Sequence, residues 1–355
     1  MTRALKLPDT QARRQPMKLI QLSDSEAYSI GSATLVSGSA LIYDKTFDHC
    51  YNLSPFDATV EYLQEEIARR IERIPGDSRQ CDEFKFTRQP TRIADVDGTI
   101  VPFNLIHPYN YFHFLIESLP SLLYLIHSNF LQPDHIIVSG LLHPNMQHAL
   151  KLVTENRFQL FEVGLLNSVA AKQAIAAKES FSCYELIDGS PPTNVYYNGA
   201  NLLALRECFR QRLKFHDNTT QLKLFILRQS SHRNIVNLKE LIAAAESRGF
   251  LVTSPETLSF RKQVELFSSA STIIGPTGAW LANLLFVGSE ARVAILYPET
   301  CRTSVSLWKR LGDILGIAVS DCYFQTSLLN QYQPIHSDFH VDIDAFVELL
   351  DNPNG

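Results

Sequence analysis

The 355-residue sequence lacks any run of about 18 apolar residues, so no segment reads as a membrane span. Its six cysteines, Cys50, Cys81, Cys183, Cys208, Cys301 and Cys322, include no C-x-x-C pair and no cysteine-histidine cluster at zinc spacing. That removes a structural zinc and leaves reduced thiols in or near the core. Neither G-x-G-x-x-G nor G-x-x-x-x-G-K-[ST] occurs, which excludes a dinucleotide fingerprint and a P-loop. Charge is moderate and slightly acidic, net −5, which argues against a nucleic-acid partner. No repeat or low-complexity block stands out. The polar, basic opening MTRALKLPDTQARRQP lacks the apolar stretch of a secretory signal, so the expected location is cytoplasmic. This opening and the stretch ARRIERI are the candidate points for peripheral contact with the inner face of a membrane.

What is present reads as an α/β protein of two domains, since single cores rarely grow beyond roughly 250 to 300 residues. The expected division is a loose tail over 1–16, an N-terminal domain over 17–215, a C-terminal domain over 216–330 and a terminal segment over 331–355. TVEYLQEEIARRIERI reads as a helix before the turn Pro75-Gly76-Asp77, and SATLVSGSALIY supplies short apolar runs. From about 109 onward helical and strand patterns alternate. In the C-terminal half LKLFILR, FLVTS, TIIGP, RVAILYP and AVSDCYF read as buried strands separated by helical segments. This is the pattern of a doubly wound parallel sheet with its ligand site beyond the carboxyl ends of the strands. DFHVDIDAFVELLDN reads as a last helix that could cross back onto the first domain.

IADVDGTIVPF contains Asp95-Val96-Asp97-Gly98-Thr99, the string a haloacid-dehalogenase-type phosphatase uses for its aspartyl nucleophile. That chemistry requires the first Asp at the end of a buried strand, beside a metal. The preceding TRQPTRIA is too polar for such a strand, whereas Asp97-Gly98 between two β-type runs is a strong hairpin signal. A β-turn is therefore expected there.

Three other stretches carry chemistry. In NYFHFLIESLPSLLYL, His113 and Glu117 stand four apart on an otherwise apolar helix, either a buried hydrogen-bonded pair or an acid and an imidazole set up for proton transfer. In FILRQSSHRNIVNLKEL, Arg228 ends a strand and Arg233 lies in the loop before a helix, where two guanidinium forks suit a diphosphate if they converge and are solvated loop residues if they do not. In TIIGPTGAWLANLLF, Gly275 and Gly278 permit close backbone approach, and Thr277 can cap a helix whose free N–H groups would face an anion.

Taken together, in this order and spacing, these stretches resemble glycosyltransferase family 61. Asn110, Tyr111, His113, Glu117, Leu119 and Pro120 match its first motif. Arg228, Arg233, Ile235 and Asn237 match the second, and Gly275, Gly278, Ala279, Leu281, Asn283 and Phe286 the third. Thr277 stands where many members have His. The apolar run Val293 to Leu296, with Glu299 beyond Pro298, stands where many have Glu. The resemblance implies a GT-B architecture, two Rossmann-like doubly wound domains facing a cleft. It implies inverting transfer from a nucleotide-diphosphate sugar, expected to be a UDP-sugar, to a glycan or lipid-linked glycan in surface-polysaccharide assembly of the bacterial capsule or lipopolysaccharide kind.

On that basis Glu117 is the expected base, with His113 as partner or alternative. Arg228, Arg233, Asn237, Gly275, Thr277, Gly278, Ala279 and Asn283 are expected on the donor, and Asn110 and Tyr111 on the acceptor. No metal and no cofactor beyond the co-substrate are expected, the guanidinium groups supplying the charge. Two rival readings are a catalytically silent nucleotide- or glycan-binding module and a phosphatase using Asp95.

Overall fold

A computed structural model of the protein describes residues 17–21, 27–39, 41–52, 71–73, 83–86, 90–184, 194–215, 221–228, 232–303 and 306–352. The expected tail over 1–16, most of the expected helix over 59–74, the turn at 75–77 and the first residues of the expected C-terminal domain, 216–220, lie outside the described residues. Ile71–Arg73, at the end of that expected helix, is a strand.

The chain forms a mixed α/β structure with two principal sheets. At one end of the larger sheet are four parallel strands, β1 (Thr91–Phe103), β2 (Ile136–Ser139), β3 (Gln159–Glu162) and β4 (Asn167–Ala177), in the order β3-β2-β1-β4. The sheet continues from β4 through largely antiparallel strands of the first hundred residues, beginning with Ala33–Val36. It is thus a mixed sheet rather than a second doubly wound one.

The expected hairpin at Asp97-Gly98 is absent, because β1 runs unbroken through both residues, paired in parallel with β4 and β2. The β4 ladder holds the strand on either side of the pair, at Val96 and Thr99, with a register shift between them, and β2 takes over from Ile100, so tertiary pairing outweighs the local turn preference. Asp95 and Asp97 lie mid-strand on the solvent side, Asp95 3.7 Å from Arg92 and Asp97 paired with Lys172. A phosphatase nucleophile needs a buried strand end, so the geometry removes that reading of Asp95.

The second sheet is entirely parallel, in the order β6-β5-β7-β8-β9. Its strands are β5 (Leu222–Ile226), β6 (Leu251–Thr253), β7 (Ala270–Pro276), β8 (Arg292–Pro298) and β9 (Ala318–Phe324). Near-continuous apolar strands such as RVAILYP, buried from Val293 onward, require helices on both faces. The strand order reverses between β5 and β7, where an open α/β sheet leaves a crevice at its carboxyl edge.

The principal helices are α1 (Leu119–His127), α2 (Pro144–Thr154), α3 (Gly199–Leu213), α4 (Leu238–Ser247), α5 (Phe260–Ser268), α6 (Leu307–Leu315) and α7 (Ile343–Asp351). The terminal helix α7 does not cross back. It packs with α4 over the second sheet, with Phe346 5.2 Å from Phe225 between ring centres.

One apolar cluster crosses the boundary expected at 216. It includes Leu123 of α1, Phe209 of α3, Phe260 of α5 and Phe286. The helices between the two sheets therefore share a core.

Candidate active site

The first stretch is not a plain α-helix. His113–Ser118 is a π-helical turn that leads into α1, and the Leu119 N–H donates to the Phe114 carbonyl five residues back. The wider turn keeps His113 and Glu117 together, with Nδ1 of the imidazole 2.6 Å from a carboxylate oxygen. The pair is mostly buried, with side chains 21% and 16% exposed. His107 stacks beside His113 at 4.1 Å between ring centres, and Phe112 stands edge-on to it at 5.5 Å.

The two partners line different spaces. His113 lines a cleft of about 940 Å³ together with Asn110, Arg233, Thr277, Gly278 and Ala279. Glu117 lines a smaller pocket with Ser118, Ser121 and Glu179. Because the carboxylate can only accept when ionised, the Nδ1–H donates to it, and Nε2 is the ring nitrogen that can take up a proton.

The second stretch places its cations at the carboxyl edge of the second sheet. Arg228, two residues beyond β5, donates from Nη1 to the Thr277 carbonyl at 3.0 Å and from Nη2 to Nε2 of His232 at 3.1 Å. Arg233 has a left-handed backbone, φ 56°, and donates its N–H to the His336 carbonyl at 3.3 Å. The neighbouring motif residues hold that loop down. Ile235 bridges to Phe339, and Asn237 exchanges two hydrogen bonds with the Val341 backbone, at 2.8 and 3.1 Å. Asn237, expected on the donor, is therefore occupied in clamping the C-terminal segment.

Electrostatics single out this corner. Burial, and then the charge of Arg233, lowers the Arg228 guanidinium to about 10, which leaves it protonated at neutral pH. Burial and the two arginines also lower His232, and they lower His336 to about 4, so both imidazoles are neutral at physiological pH. Burial raises the Cys301 thiol to about 11 even though both guanidiniums pull the other way, so it adds no negative charge. Cations crowded this closely favour a bound anion.

In the third stretch, Gly278 has an extended backbone, and a Cβ there would stand 3.3 Å from Cδ of Arg228. Gly275 is packed for a different reason. A Cβ on it would fall 2.7 Å from Ile226, so its bare backbone serves strand packing and not a ligand. Ala279–Phe286 is a 3-10 helix without a side-chain cap, and Thr277, only 3% exposed, does not cap it.

Asn283 is fully buried. It accepts from the Tyr111 hydroxyl at 2.9 Å and donates to Gln263 at 3.0 Å. Tyr111 and Asn283, expected on acceptor and donor, together tie the first motif to the third. Asn110, the other expected acceptor residue, lines the cleft while its side chain accepts from the Phe112 N–H at 3.0 Å.

The family model for glycosyltransferase 61 matches residues 111–294, more than half of the chain, and takes in all three stretches but for Asn110 at its edge. The protein belongs to glycosyltransferase family 61. A search of curated proteins returns no match.

For a family 61 glycosyltransferase, the arrangement of charge explains why the second and third motifs go together: the Arg228 side chain lies against Gly278 and bonds to its neighbour. Where family members carry Glu in the strand after the third motif, β8 is apolar, and Glu299 stands exposed outside the cleft, paired with Arg302 at 2.5 Å. The C-terminal half also holds an Asp-x-Asp string, Asp342-Ile343-Asp344. Asp342 caps α7 by accepting from the Ala345 N–H at 2.8 Å. Among the described residues no three His, Cys, Asp or Glu side chains gather as a metal site, and no helix is long and apolar enough to cross a membrane.

Proposed function

We infer that this family 61 glycosyltransferase moves a sugar from a nucleoside-diphosphate donor to a glycan or lipid-linked glycan hydroxyl, with inversion and with guanidinium groups in place of a metal. The observation that carries the reading is the meeting of His113, Arg233 and the Thr277-Gly278-Ala279 turn on the walls of one cleft.

In this reading the second sheet holds the donor in a GT-B-like arrangement, and Arg228 and Arg233 stabilise the diphosphate as it leaves. His113 takes the acceptor proton through Nε2, and Glu117 fixes the ring and steadies the imidazolium. This reverses the order expected from sequence, because it is the imidazole that lines the donor cleft and the carboxylate that stands behind it. A UDP donor and a role in surface-polysaccharide assembly at the inner face of a membrane belong to the same proposal and draw their support from the family.

Thermal unfolding with UDP, GDP, CMP and TDP, each in EDTA and in Mg²⁺, tests the reading. A nucleotide at 100 times its Kd stabilises by about 2.7 kcal/mol. A melting point raised by one nucleotide in EDTA is expected. Stabilisation seen only with Mg²⁺ would overturn the metal-independent mechanism, and no stabilisation by any nucleotide would overturn the donor assignment.

Arg233→Ala should weaken diphosphate binding by about 1.5–3 kcal/mol, the worth of one charge-assisted hydrogen bond. Titration calorimetry with the stabilising nucleotide measures this, and unchanged affinity would remove Arg233 from the site.

A further inference from the structure

The cleft has a second polar pole that the reaction scheme leaves unused. Asp321, in β9, lines it, and its side chain is only 4% exposed. One carboxylate oxygen accepts from the Ser306 hydroxyl at 2.5 Å and lies 4.0 Å from the Lys309 ammonium. Ser306 in turn caps α6, accepting from the Lys309 N–H at 3.1 Å. The Tyr297 hydroxyl donates toward this carboxylate, yet Oδ1 is buried and meets no partner at full hydrogen-bond geometry among the described residues. A carboxylate oxygen left this way forfeits its hydration without replacement, a cost a protein rarely carries unless something else fills the position.

The surroundings select the ligand chemistry. Tyr297 and Tyr323 stack beside Asp321 at 5.2 Å between ring centres, and both phenols are raised, first by burial and then by the aspartate charge, Tyr323 to about 12. Both phenols therefore stay protonated at neutral pH. An ionised carboxylate only accepts, so it repels phosphate and takes a donor. A nucleoside-diphosphate sugar is anionic in the middle and rich in hydroxyls on either side. A cleft with guanidinium at one position and carboxylate at another matches that alternation.

The geometry points to Asp321 as the residue that accepts from a sugar-ring hydroxyl of the donor, either on the ribose or on the transferred sugar. The assignment rests on the nucleotide-sugar reading of the cleft.

The test is titration calorimetry of wild type and Asp321→Asn with UDP, GDP and CDP, their 2′-deoxy and 3′-deoxy forms, and UDP-glucose, UDP-N-acetylglucosamine and GDP-mannose. Asn keeps an acceptor for Ser306 but loses the charge and one acceptor oxygen. Wild type should prefer the ribo form over a deoxy form by about 10- to 100-fold, the worth of a hydrogen bond to a charged group, and Asp321→Asn should lose most of that preference. Equal binding of the nucleoside diphosphate by both proteins, with the added affinity of the attached sugar lost in the variant, supports the assignment with the transferred sugar as source.

If the variant matches wild type on every ligand, or loses affinity equally for all of them, Asp321 is not a hydroxyl acceptor and the nucleotide reading stands. If no nucleotide binds wild type, both fall. Should the variant not fold, wild type carries the test alone: equal affinity for ribo and deoxy forms, with no gain from the attached sugar, overturns the assignment.

Discussion

His113→Ala is expected to slow sugar transfer by about 10²- to 10⁴-fold, the usual contribution of a positioned general base, while nucleotide affinity changes little. The two effects separate because the groups proposed to hold the diphosphate, Arg228, Arg233 and the turn at Gly278, lie at the carboxyl edge of the second sheet, whereas His113 belongs to the turn before α1. Glu117→Gln should also lower kcat and leave the donor KM nearly unchanged, since in the proposed mechanism the carboxylate acts through the ring it contacts at 2.6 Å. Steady-state kinetics with varied donor, beside calorimetry with the free nucleotide, reads both quantities. Near-normal turnover in His113→Ala together with a dead Glu117→Gln would return the proton transfer to the carboxylate.

The largest expected effect on stability comes from Phe286→Ala, about 3–5 kcal/mol. Phe286 is fully buried and meets Phe209, Phe215 and Phe260 at 5.6, 5.8 and 5.7 Å between ring centres. Phe209 and Phe215 precede the expected boundary at 216, and Phe260 and Phe286 follow it. The substitution therefore opens a cavity in packing that belongs to both sheets. Chemical denaturation followed by near-UV and far-UV circular dichroism should show one transition in wild type and one, at lower denaturant, in the variant. Two transitions, with only one moved by Phe286→Ala, would show that the two parts hold separate cores.

The second sheet was legible almost strand by strand, because each strand is a short apolar run closed by a polar helix start or a glycine, and periodicity suffices for that. The larger sheet was not. Asn167–Ala177, alanine-rich and interrupted by Lys172 and Gln173, has no strong strand preference of its own. It is held by β1 on one side and by Ala27–Gly31 and Ala33–Val36 on the other. The same tertiary pairing erased the Asp97-Gly98 turn.

At the site, residue spacing located the His113–Glu117 contact and the two arginines. It could not show which motif residues face inward. Asn237, Asn283 and Tyr111 look like ligand-binding residues in sequence, yet they are bonded to Val341, Gln263 and one another. Asp321 was read only as part of a strand, since its partner Ser306 is 15 positions away and no local pattern joins them.

The π turn at His113–Ser118 amounts to one residue more than an α ladder accommodates. Excising Leu115 or Ile116 would let the turn close as ordinary α-helix and swing His113 about 100° around the axis relative to α1. The imidazole would leave the cleft it lines with Arg233 and Gly278 although no motif residue had been altered. In this protein the length of a five-residue interval is as much a part of the site as the side chains at its ends.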